Sequence, residues 1–68
     1  MSRIEIQEIH ESLVNGQRKQ MVKQIEEYRL YDFWFDYSVY LDSLYLEVDA
    51  KCNYFVDATI SYHRITNR

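Results

Sequence analysis

A single glycine, Gly16, and no proline punctuate a chain of 68 residues, and that scarcity narrows the possible folds more than any other feature. Antiparallel strands are joined by tight turns, and tight turns draw on residues that accept positive φ or a fixed one. A sheet built from residues 30 to 65 would need such turns within "LDSL" and "VDAKCN", and neither stretch holds a glycine or a proline. The same scarcity removes any glycine-rich loop for phosphate. It also leaves nothing of the composition of open linkers, while 47% hydrophobic residues demand a packed core. One domain over residues 1–68 follows.

Helical spacing is clear at the front. Ile6, Ile9 and Leu13 keep to the 3.6 period that buries one side of a helix, with Glu5, Glu8 and Glu11 toward its amino end, where the macrodipole favours acids. Met21, Val22, Ile25 and Tyr28 repeat the pattern downstream. Between them Asn15 and Gly16 mark a break, with Asn15 either closing the first helix or capping the second.

The middle, "LYDFWFDYSVYLDSLYLEV" from Leu30 to Val48, fits two periods. In helical steps Leu30, Trp34, Tyr37, Leu41, Leu44 and Val48 share a side, and Asp32, Asp36, Ser43 and Glu47 gather opposite. In steps of two, Tyr31, Phe33, Phe35, Tyr37, Val39 and Leu41 alternate with polar residues, but Trp34 and Tyr40 spoil the count and it dissolves after Leu41. The contest recurs from Cys52 to Ile65. Alternation there selects Cys52, Tyr54, Val56, Ala58, Ile60 and Tyr62, whereas helical spacing selects Phe55, Ala58, Tyr62 and Ile65. The missing turn residues decide for helix, with Asp49 as the expected cap of the last one. The expectation is an all-α bundle of three or four short helices with Leu30–Val48 at its centre. The alternative is an α+β fold, its N-terminal helices packed on a small antiparallel sheet.

Projected on that central helix, Tyr31, Phe35, Val39 and Leu46 form a second apolar stripe, interrupted by Asp42, which the first does not cover. A helix with two apolar sides is either sandwiched or faces another molecule. With three other short helices to cover it both can be true, the stripe filling the core or forming a self-association surface, and so short a chain buries too little surface for a comfortable stability margin without help from a disulfide, a metal or a partner. Cys52 is the only cysteine, so no intrachain disulfide can form. Seven tyrosines suit a core whose edges double as an interface, since their rings bury area while their hydroxyls stay wet. A homodimer built on Tyr31, Phe35, Val39 and Leu46 is the expected state.

Catalytic and metal-binding signatures are missing from the sequence. His10 and Glu11 are followed by "SLVN", where a zinc-protease helix needs a second histidine. The Glu-x-x-His pairs of a carboxylate-bridged centre also fail, for Gln7 and Ile60 stand three places before His10 and His63. An incidental surface site on either histidine is all that is left. Asp32 and Asp36 have the spacing of an acid–base pair and equally that of the solvated side of a helix. Cys52, with no partner histidine, reads as a buried apolar thiol. No enzyme activity and no cofactor are expected. Neither a signal-peptide pattern nor a run of about eighteen apolar residues is present, so the expected setting is cytoplasmic, without a membrane partner.

Charge is uneven beneath a net value of −3. The front is balanced, the stretch from Tyr31 to Asp57 sets six acids against Lys51 alone, and Arg64 and Arg68 close the chain. That distribution argues against nucleic acid. A competing reading is a helix-turn-helix DNA binder, in which the turn at Gly16 presents Gln17, Arg18, Lys19 and Lys23 to the major groove. A third is an acidic inhibitor whose carboxylates imitate nucleic acid.

The run from Leu30 to Tyr45, with "NG" before it and "YFVDATISYHRI" after it, resembles small uncharacterised proteins of marine bacteriophages of the cyanophage type. The resemblance is one of aromatic and acidic texture and implies no catalytic residue or cofactor. It implies a virus-encoded or environmental accessory protein at work in the cytoplasm of a bacterial cell, occupied with binding a host or viral protein.

Overall fold

The computed structural model describes residues 2–67. Four helices follow one another, α1 (Arg3–Val14), α2 (Arg18–Glu27), α3 (Phe33–Leu44) and α4 (Val48–Thr66), with no strand among the described residues. The all-α expectation holds, and the sheet alternative for the second half is set aside.

The first break is made locally. Asn15 closes α1, Gly16 adopts φ +76°, and two backbone hydrogen bonds seal the end: the Gly16 amide donates to Leu13 at 3.1 Å and the Gln17 amide to Ser12 at 2.8 Å. This is a Schellman ending, and it needs a residue at ease with positive φ. Asn15 thus serves α1, and Gln17 stands at the N-cap of α2.

The end of α2 repeats the motif with the wrong residue for it. Arg29 takes φ +54°, its amide donating to Glu26 at 3.3 Å and that of Leu30 to Ile25 at 3.4 Å. Leu30 thereby folds back against the core instead of opening the next helix. The expected Leu30–Val48 helix therefore starts late, at Phe33. It also stops early. Tyr45 is extended at φ −116° and ψ +127°, and Val48 already belongs to α4. Nothing local forces this stop. Tyr45 leaves the helix to lay its ring on Tyr54, 5.4 Å between centroids, and its hydroxyl beside His10.

The helices form a ring in which α1 touches α2 and α3, and α4 touches the same two. α3 is one wall of this ring, not its centre, because four helices of similar girth share one core more evenly than three can surround a fourth. Ile6, Ile9 and Leu13 from α1, Met21, Val22 and Ile25 from α2, Phe33, Tyr37, Tyr40 and Leu41 from α3, and Ala58 from α4 make the interior. The first-half stripes are thus buried as their spacing predicts. On α3 the expected stripe is rotated: Leu44 and Val48 at its far end are exposed, and Phe33 and Tyr40 take their place inside. α4 keeps its helical set, with Ala58 buried and Phe55, Tyr62 and Ile65 packed on the core, although its N-cap is Glu47 and Asp49 sits in its first turn.

Much of the seam between α3 and α4 is aromatic. Phe33 and Tyr37 stack at 5.2 Å, Tyr37 and Phe55 at 6.3 Å, and Trp34 stands edge-on to Phe55 and Tyr62 at 5.8 and 5.7 Å. Such offset and edge-to-face pairs add to simple burial. The α1–α2 seam instead carries a buried polar bond, from Ser12 Oγ to Gln24 Oε1 at 2.7 Å, in which each group satisfies the other.

Candidate interaction surface

Among the described residues ten large apolar side chains lie exposed, and their distribution is lopsided. Ile4 and Val14 belong to α1, while Tyr31, Phe35, Val39, Leu44, Leu46, Val48, Val56 and Ile60 all come from the second half. A small monomer shows scattered apolar residues as a matter of course; a concentration on one part of it marks a site of contact.

All four residues of the expected second stripe are among them. Phe35 and Val39 are one turn apart on the outer side of α3, 71% and 50% exposed. Tyr31 and Leu46 fall outside the helix, in the links before and after it, at 91% and 102%. The stripe therefore has a helical middle and two loop ends. Sequence reasoning missed a further row on α4: Val48, Val56 and Ile60, with the thiol of Cys52 between them, are exposed at four-residue spacing. The signal was there, but strict alternation had claimed Cys52, Val56 and Ile60 for a strand. Cys52 is exposed, contrary to its reading as a buried thiol, because α4 turns that side away from the ring.

Beside Phe35 and Val39 a groove of about 190 Å³ opens between α1 and α3, lined by Arg3, Ile6, Asp36, Val39, Tyr40 and Ser43. Arg3 crosses its wall, with its guanidinium 5.5 Å from the centre of the Tyr40 ring and a bond of 3.3 Å to Ser43 Oγ. Among the described residues the ion pairs are Lys23 with Glu27 and Lys51 with Asp42, so neither Arg3 nor Asp36 has a charged partner.

His10 is a second centre of interest and a correction. Far from offering a surface site for metal, it is buried among four tyrosine rings, those of Tyr37, Tyr40, Tyr45 and Tyr54. Nδ1 lies 2.9 Å from the Tyr37 hydroxyl and Nε2 3.1 Å from that of Tyr45. A neutral imidazole donates through one nitrogen and accepts at the other, so one tyrosine accepts and its companion donates. Burial lowers the His10 pKa below its ordinary 6.5, an effect that the nearby Glu11 carboxylate opposes. Burial likewise raises the hydroxyls of Tyr37, Tyr40 and Tyr45, that of Tyr37 most of all. Both nitrogens are engaged and the phenols are held protonated, an arrangement that ties α1, α3 and the α3–α4 link together. No group of three or more His, Cys, Asp or Glu side chains is placed to hold a metal among the described residues.

The basic set at the start of α2 is partly occupied within the chain. Arg18 donates to Ser61 of α4, Lys23 pairs with Glu27, and Gln17 and Lys19 are exposed. Glu26 and Glu27 share the solvent side of that helix. The six acids of the middle are dispersed over the links, α3 and α4, with Asp42 bound to Lys51. No helix among the described residues is long and apolar enough to cross a membrane.

Comparison of the chain with protein-family models, with curated proteins and with solved structures finds no match.

Proposed function

We propose that the protein is a non-catalytic interaction module that associates with itself through the outer side of α3. The observation that carries this reading is the concentration of exposed apolar side chains in the second half, with Phe35 and Val39 stacked on one side of a helix and Tyr31 and Leu46 at its two ends. Covering them removes apolar area from water, which is the main drive for association. The likeness to marine bacteriophage proteins is in keeping with an accessory protein whose occupation is to bind proteins inside a bacterial cell.

Strength can be bounded. An interface of standard size takes about 800 Å² from each partner, and the whole surface here is only 4894 Å². α3 is about 18 Å long at 1.5 Å per residue, so its face alone falls short of that standard. Micromolar affinity is expected. Sedimentation equilibrium over a concentration series should show mass rising from one chain toward two. Phe35→Asp should hold the mass at one chain with an unchanged helical circular dichroism spectrum, since the side chain it replaces is not part of the core. A wild-type chain that stays monomeric at millimolar concentration overturns the reading.

A further inference from the structure

We infer that two copies pair with their α3 helices antiparallel about a two-fold axis at Val39, so that the outer sides of the two helices, Phe35 included, cover each other and Asp36 of each meets the other's Arg3. The inference rests on the self-association proposed above and adds its geometry.

Two features of the surface converge on that axis. With Val39 opposite its own copy, Phe35 comes level with Ser43 of the second molecule and lies against the outer side of its α3, so that the exposed ring and the exposed Val39 are covered together. Asp36 then stands opposite position 42, one residue from Ser43, where the Arg3 guanidinium is held by its bond to Ser43 Oγ. Asp42 itself is engaged by Lys51 of its own chain, which leaves Arg3 as the unpaired charge at that place.

Symmetry favours this arrangement over a parallel one. A two-fold contact is self-complementary, each residue meeting the same partner twice. Parallel helices related by a two-fold axis would turn the α1 flank of one copy toward the α4 flank of the other and leave Asp36 and Arg3 out of reach of each other across the contact. Antiparallel helices turn both charges into two identical pairs and oppose the two helix dipoles.

The test is charge reversal followed by mixing. Arg3→Asp gives a copy with acids at both positions, and Asp36→Arg a copy with arginines at both. Each alone should associate at least about tenfold more weakly than the wild type, and an equimolar mixture should recover to within about threefold, because the two surfaces then attract as a heterodimer. Circular dichroism of each variant checks that it is folded. Wild-type association that survives both reversals, or a mixture that fails to recover, overturns this geometry and leaves self-association standing. A wild type that never associates overturns both.

Discussion

The two helix pairs spend their apolar residues differently. α1 and α2 use aliphatic side chains, put all but Ile4 and Val14 inside, and are joined by a turn whose geometry a glycine supplies. α3 and α4 rely on rings, bury one side of each helix and leave a second apolar row in water on both. A helix with one apolar side has a single way to be satisfied. In this molecule the half that leaves apolar rows in water is also the acidic half, where six acids from Tyr31 to Asp57 face Lys51 alone.

Neighbouring phenylalanines in α3 put that contrast to its hardest test. Phe33 is 2% exposed and touches Trp34 and Tyr37. Replacing it by alanine should cost about 3–5 kcal/mol of unfolding free energy in urea titrations, as for other buried rings. Phe35→Ala, two places along, should stay within about 0.5 kcal/mol when measured at a dilution where the chain is monomeric. Similar losses at both sites would erase the distinction between inner and outer sides.

Next in size is the joint between the halves. Tyr37→Phe strips the hydroxyl from His10 Nδ1 and leaves a buried ring nitrogen without its partner, at a cost of about 1–3 kcal/mol. Acid should strain the same joint. In the unfolded chain His10 takes up its proton near 6.5, whereas burial makes the folded form wait for lower pH. The unfolded state therefore binds the proton first, and stability should fall as pH drops below about 6.5, levelling off once the folded imidazole protonates as well. His10→Leu should flatten that part of the pH profile in thermal melts, whatever it does to the plateau.

How much of this could be read in advance depends on whether a feature is made locally. The break at Gly16 is announced by the residue that makes it, and the buried rows of α1 and α2 follow their spacing. Phe35 and Val39 were legible too, because the helical projection that buries Tyr37 and Leu41 must turn them outward. The stop at Leu44 was not legible: no breaker lies between Leu44 and Glu47, and Tyr45, where the chain leaves the helix, meets His10, 35 residues away in sequence. The exposed row on α4 was hidden for a different reason, since a four-residue step also satisfies alternation.

The smallest expected effects come from the two Schellman turns, which share a shape and differ in the residue that bears it. Gly16→Ala should lose about 1 kcal/mol. No side chain or backbone atom crowds the position, so the whole loss is one of backbone conformation. Arg29→Gly should gain about 0.5 kcal/mol or more by relieving the positive φ of a residue with a Cβ, against the entropy that glycine adds to the unfolded chain. Thermal melts of both variants should therefore move in opposite directions.

The lone indole at the aromatic seam gives the molecule a built-in optical probe. Trp34 sits a ring's breadth from Tyr62 and close to the stack formed by Tyr37 and Phe55, while the chain carries seven phenols and no other indole. Light absorbed by the phenols of the folded chain is handed to this single acceptor, whose emission then dominates the ultraviolet fluorescence. When the α3–α4 seam parts, that transfer weakens and phenol emission returns, so the integrity of the aromatic half can be followed without any label.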